Sequence, residues 1–165
     1  MSRLSSLLGA LLAGLAFGLT ACDNEQANER AQSGTWHVAR VTATESRTGF
    51  TAGTVTVTDA GDFAFEDHGA SFNRAVLYLD KAVPSRALQR FYVPTGTTLA
   101  PRRYDWFWEA DPGPAHRLVI RFDQFMLATF TYDENTADRQ TFFYLERDNQ
   151  GHIGYREDWA LERSH

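Results

Sequence analysis

The stretch T-V-T-V-T-D-A-G-D-F-A-F, residues 54–65, alternates side-chain character on both sides of a D-A-G-D break. Period-two alternation marks a strand with one face buried, and Asp, Gly and Asp together are turn chemistry. The stretch therefore reads as two strands joined by a turn, with Val55, Val57, Phe63 and Phe65 on one inner face.

Outward from it, the same pattern recurs at 75–79, 89–93, 104–109, 118–123, 126–132 and 140–147. It recurs last at 152–163, after the glycine-closed turn D-N-Q-G at 148–151. Only P-S-R-A-L-Q-R, Pro84 to Arg90, reads as a short helix, with proline tolerated in its first turn. Pro94, Pro101, Pro112 and Pro114 fall between strands, where a missing N–H does least harm. No internal repeat is visible. A meander of many antiparallel strands packs as two layers or closes on itself, and closure removes exposed edges. The expected fold is all-β, an antiparallel up-and-down barrel of about eight to nine strands.

The first strand opens on Gly34-Thr35-Trp36, and the last strand runs out on W-A-L-E-R with Arg163. This G-x-W at the start of the first strand, with an arginine at the end of the last, resembles the lipocalins and their calycin relatives. The resemblance implies that Trp36 closes one end of the barrel and that Arg163 packs across it, with Gly34 completing the motif. The family's central T-D-Y motif is missing, and Thr131-Tyr132-Asp133 does not replace it.

In a closed barrel the first and last strands are neighbours. The last strand puts Ile153, Tyr155, Glu157, Trp159 and Leu161 on one face, and the first puts Trp36, Val38 and Arg40 on one face. Glu157 and Arg40 are then charges among apolar residues, and an unpaired buried charge is costly. The pattern predicts an Arg40–Glu157 pair, or else a bulge near Arg40 that turns this side chain outward. Alternation likewise puts Tyr104, Trp106 and Trp108 on one side of a strand, with Arg102 and Arg103 at its start. An aromatic stripe is either core or the wall of an apolar ligand site whose rim arginines meet an anionic head. The expected ligand-binding set is Trp36, Arg40, Arg102, Tyr104, Trp106, Trp108, Tyr155, Glu157 and Trp159.

Ahead of the domain, Arg3 is followed by an uncharged run rich in Leu, Ala and Gly, the layout of a secretory leader. The run ends in Leu19-Thr20-Ala21-Cys22, which resembles the bacterial lipobox, and Cys22 is the chain's one cysteine. That resemblance implies cleavage before Cys22 and a lipid-modified sulfur bearing acyl chains such as palmitate. The membrane is then a partner, since two or more chains anchor a protein stably. The expected organisation is a signal peptide at 1–21, a lipidated cysteine with a polar linker at 22–33, and the barrel at 34–165. The linker carries no large apolar residue and spans about 35–40 Å when extended. The protein is expected in the bacterial cell envelope, facing the periplasm. Asp23 resembles the enterobacterial retention signal and favours the inner membrane over the outer.

Losing Arg3 with the leader leaves a net charge near −6 with histidine neutral. This argues against a nucleic-acid partner. The five histidines show no paired metal-ligand spacing, and no nucleophile elbow or glycine-rich phosphate loop is present. No metal, cofactor or catalytic residue is assigned. The functional expectation is a lipid-anchored envelope protein whose barrel binds or carries a small apolar ligand. The alternative is a barrel with a filled core that docks an envelope protein or inhibits a hydrolase. An enzyme acting on a lipid-like substrate ranks last.

Overall fold

The computed structural model describes residues 33–67, 73–92, 96–111, 116–123 and 125–164. The expected leader, Cys22 and the linker up to residue 32 lie outside the described residues. The elements are β1 (Gly34–Glu45), β2 (Gly53–Thr58), β3 (Gly61–Glu66), β4 (Asn73–Leu79), β5 (Val83–Pro84), α1 (Arg86–Gln89), β6 (Thr98–Leu99), β7 (Arg103–Asp111), β8 (Arg117–Arg121), β9 (Leu127–Asn135), β10 (Arg139–Arg147) and β11 (Ile153–Arg163). All pairings are antiparallel. The main sheet runs β11-β10-β9-β8-β7-β4-β3-β1, and β11 pairs back onto β1. The fold is thus an eight-stranded closed antiparallel barrel, consistent with a lipocalin-like fold, with one extra strand, β2.

The D-A-G-D break is not a hairpin turn. β1 pairs with β2 from Glu45↔Gly53 to Arg40↔Thr58, and with β3 from His37↔Asp62 to Gly34↔Phe65. Along this run the register slips by a single residue, so β2 and β3 follow one course with a bulge between them. Gly61 takes a φ of 135°, and a Cβ there would lie 1.9 Å from the Tyr78 carbonyl oxygen. The glycine permits close backbone contact with β4 rather than a reversal of the chain. Because β4 ends at Leu79, nothing in the wall continues beside β2 among the described residues. Val55 shares a face with the buried Ala43 yet is 57 % exposed.

A strap, described at residues 80–92 and 96–102, crosses the end of the barrel beside β2. It carries the short β5–β6 pair and α1, with Val83, Leu88, Phe91 and Leu99 buried beneath it. Residues 89–92, part of an expected strand, are the end of α1 and a turn. Ser85 explains this, since its Oγ accepts from the Leu88 N–H at 3.2 Å and caps the helix. Pro84 sits just ahead of the cap instead of in the first turn.

The interior is packed with rings. Tyr104, Trp106 and Trp108 of β7 are buried, whereas Asp105, Phe107 and Glu109 face outward. Phe63 lies 4.4 Å from Phe65, 6.4 Å from Trp106 and 6.3 Å from Trp159, which stacks on Phe142 at 6.1 Å. Each such ring contributes about 4–6 kcal/mol of transfer free energy as an upper bound. A few of them outweigh the several kcal/mol that burying one carboxylate costs.

Gly61→Ala will collide with the β4 backbone and strain φ together. Denaturant unfolding is expected to show a loss of at least about 2 kcal/mol, whereas alanine at the open turn position Gly151 costs less.

Candidate functional site

Two features define the strap end: the polar group that ties the strap down, and the aromatic rim beside it. Alternation along β11 points Tyr155, Glu157, Trp159 and Leu161 inward, and all four are buried. Glu157 is fully buried and meets five donors. Its Oε1 accepts from Ser85 Oγ at 2.9 Å and from Trp159 Nε1 at 3.3 Å. Its Oε2 accepts from the Arg86 N–H at 2.8 Å, the Ala87 N–H at 3.3 Å and Tyr155 Oη at 2.9 Å. The carboxylate therefore satisfies the first turn of α1 from across the barrel, which is the arrangement a helix start prefers. Burial pushes the pKa of Glu157 up, while the hydrogen bonds pull against it. Burial also raises that of Tyr155, so its phenol stays a donor.

Arg40 is not the partner of Glu157. The β1–β11 register shifts between Val38 and Arg40, so Arg40 lies opposite Ala160 and Glu157 lies opposite Ala43. This is the bulge alternative. It leaves Arg40 exposed and turns Val41 inward, because one added residue inverts the faces of a strand.

Around this carboxylate runs a ring of charge. Arg86 donates to Glu45 Oε2 at 2.7 Å and to Glu146 Oε2 at 2.9 Å, and Arg47 donates to the same oxygens at 2.9 and 3.1 Å. Burial lowers the pKa of Arg86, but the two carboxylates more than reverse it. The Arg86 guanidinium also sits 4.2 Å over the Tyr155 ring. Arg47 lies across Gly154, where a Cβ would come within 2.2 Å of its Cγ. The strap is thus bound to β1, β10 and β11 at the seam where the barrel closes.

On the other side of the strap lies the aromatic rim. Tyr92 meets Tyr104 at 5.2 Å, Trp106 at 6.2 Å and the exposed Phe122 at 6.3 Å, and Phe91 stacks on Phe122 at 6.2 Å. Arg102 lies 4.7 Å over Tyr104 and 5.1 Å over Tyr92, and Arg90 lies 5.7 Å over Phe91 and 5.9 Å over Tyr144. Neither arginine has a carboxylate within ion-pair distance among the described residues. Burial pushes Tyr92 and Tyr144 up to about 12, so both phenols are neutral near pH 7.

The expected site residues are therefore divided. Arg102, Tyr104 and Trp106 gather at this rim, and Tyr155, Glu157 and Trp159 gather under α1. Trp108 packs on Phe65 at 5.5 Å toward the opposite end. Trp36 lies at that end too, with the Arg163 guanidinium 4.4 Å over its ring. Arg163 Nη1 also donates to the Ser33 carbonyl at 2.7 Å, and a Cβ on Gly34 would lie 2.5 Å from it. The G-x-W glycine thus makes room for the arginine. Pattern reading did not single out Ser85, Arg86, Glu45, Arg47, Glu146, Arg90 or Tyr92 for the site. Only the serine after Pro84 carried a signal, as a helix cap.

Among the described residues no three His, Cys, Asp or Glu side chains form a metal-holding group. No helix among them is long and apolar enough to cross a membrane. No family model matches this chain, and neither a curated protein nor a solved structure is significantly similar to it.

Glu157→Gln replaces one acceptor oxygen with a donor and leaves at least one fixed N–H unsatisfied. Denaturant unfolding at neutral pH is expected to show a loss of about 1–3 kcal/mol. A carboxyl whose folded pKa is raised contributes most below its unfolded value of about 4.3 and loses that contribution as pH rises through the folded value. The stability difference between wild type and Glu157→Gln should therefore shrink as pH rises above about 4.

Proposed function

We propose that the chain is a lipid-anchored protein of the bacterial cell envelope whose barrel binds a small molecule with an apolar body and an anionic group. The observation that carries this reading is the pairing of Arg102 and Arg90 with the aromatic rim. Two guanidiniums lie on aromatic rings beside the exposed Phe122, with no carboxylate engaged among the described residues. Such a surface offers stacking to an apolar body and charge to a carboxylate or phosphate. Rings already occupy the middle of the barrel, so the seat is the mouth formed by Tyr92, Tyr104, Trp106 and Phe122 rather than a deep cavity.

The anchor belongs to the same proposal. Cys22 at the end of L-T-A-C supplies the lipid-bearing sulfur, and the polar linker holds the barrel in the periplasm. Asp23 favours the inner membrane. The second reading, a filled-core module that docks an envelope protein, draws on the continuous ring contacts from β3 through β11 to β10.

Titrating a panel of long-chain fatty acids while recording tryptophan fluorescence tests the binding reading. A saturable change is expected, and Arg102→Ala should weaken it about tenfold, the loss of one charge-assisted contact. A flat titration across the panel removes the binding reading and leaves the docking module.

For the anchor, cells fed labelled palmitate should label the wild-type chain and leave Cys22→Ala unlabelled. An unlabelled wild-type chain would show that Cys22 carries no lipid.

A further inference from the structure

Closing β11 onto β1 satisfies the edges of the barrel wall, and β2 is where an edge stays open among the described residues. The orientation of its backbone groups follows from three contacts. The Asp59 N–H donates to the Ala39 carbonyl at 3.1 Å, so residues 53, 55 and 57 bond to β1. The Ser46 N–H donates to the Gly154 carbonyl, so the even residues of β1 bond to β11, which is the same alternation seen from the other side. Thr54, Thr56 and Thr58 then point their N–H and C=O groups away from the barrel. Lys81 Nζ occupies the Thr58 carbonyl at 2.7 Å. Those of Thr54 and Thr56 remain open among the described residues.

We propose that the protein forms a two-fold dimer through β2, with the same strand of a second copy pairing antiparallel about Val55. The sequence is symmetric about that residue, T-V-T reading alike in both directions. The register sets Thr54 against Thr56 of the copy and Thr56 against Thr54, and both are pairs whose backbone groups face each other. Four N–H···O bonds form. On the outer face Thr42 and Thr56 share a hydroxyl hydrogen bond at 3.1 Å, as do Thr44 and Thr54. The same register extends each pair into a row of four threonines running across both copies. On the inner face the exposed Val55 meets its counterpart at a non-hydrogen-bonded position, where side chains approach most closely.

Charge agrees with this occupant. β2 carries no ionised side chain, and the flanking Asp59 of each copy falls opposite Thr51 of the other. Among the described residues β2 is the open edge of the main sheet, which makes the pairing isologous and self-limiting, so a dimer forms and not a fibre. The chain's own linker is a poor substitute. Its D-N-E-Q-A-N-E-R-A-Q-S sequence is low in strand propensity and leads into Gly34, at the opposite end of β1 from Glu45, the residue that pairs with Gly53.

The test is oxidative cross-linking of the full-length chain in bacterial membranes. Val55→Cys should give a dimer whose bond maps by mass spectrometry to position 55 in both copies, since Cα atoms of such a pair lie within disulfide reach. Phe107→Cys, exposed on the far wall, should give none, and wild type reports any cross-link through Cys22. Adding Thr56→Pro to Val55→Cys removes an outward N–H while leaving the β1 ladder intact. It should cut the cross-link at least tenfold with the near-UV circular dichroism unchanged. Should that variant fail to fold, Val55→Lys sets two like charges on the axis and should weaken the detergent-extracted dimer at least tenfold by light scattering. Absence of a 55–55 bond above the Phe107→Cys background overturns the proposal. So does a monomeric mass for the extracted wild-type chain, or a dimer that Val55→Lys leaves unchanged.

Discussion

The strap end depends on one buried carboxylate. Glu157 faces five donors, two of them backbone N–H groups of a four-residue helix too short to hold itself together. Isolated helices of this length are unstable in water, so α1 exists because β11 supplies the acceptors its first turn lacks. The same carboxylate fixes Tyr155 and Trp159, and Tyr155 in turn presents its ring to Arg86. A hydrophobic residue at position 157 would pack but would leave Ser85, Arg86 and Ala87 with donors and nowhere to send them.

The strap is held asymmetrically. Side-chain hydrogen bonds reach α1 from β1, β10 and β11, through Glu45, Glu146, Tyr155 and Glu157. Toward β7 and β8 the turn after α1 makes ring contacts, Phe91 on Trp106 and on Phe122 and Tyr92 on Tyr104. Hydrogen bonds fix a geometry, whereas ring contacts tolerate sliding at modest cost. Arg102 and Arg90 stand on the side where the strap meets the wall through ring contacts.

Much of this was legible in the sequence, and the failures have physical causes. Period-two alternation placed Tyr104, Trp106 and Trp108 inside, and the barrel follows from strand count and edge closure. The G-x-W and the terminal arginine pointed to two residues that meet in space. The reading of D-A-G-D failed because a glycine needed for contact with a neighbouring carbonyl leaves the same trace as one needed for a turn. The Arg40–Glu157 pair failed because a bulge is a one-residue event without a compositional mark, and it exchanges the faces of everything beyond it. The strap partners of Glu157, Ser85, Arg86 and Ala87, were illegible for a third reason. They lie about seventy residues away, in a segment whose own pattern says only that a short helix begins.

These failures share a location, and that location is informative. Alternation predicts well wherever a strand has the core on one side and water on the other, as β7 does. It fails at β2, at the Arg40 bulge and in the strap, where the barrel wall stops being a two-sided layer. β2 runs past the end of β4, so an inward-facing Val55 finds no core to enter. The strap covers an end rather than a wall, so its side chains answer to three strands at once. Charged and open groups collect at the same margin: Glu157, the Glu45–Arg47–Glu146–Arg86 ring, the two rim arginines and the β2 edge. A closed barrel leaves little freedom in its wall, where packing dictates each residue, and what distinguishes this chain is written where that dictation ends.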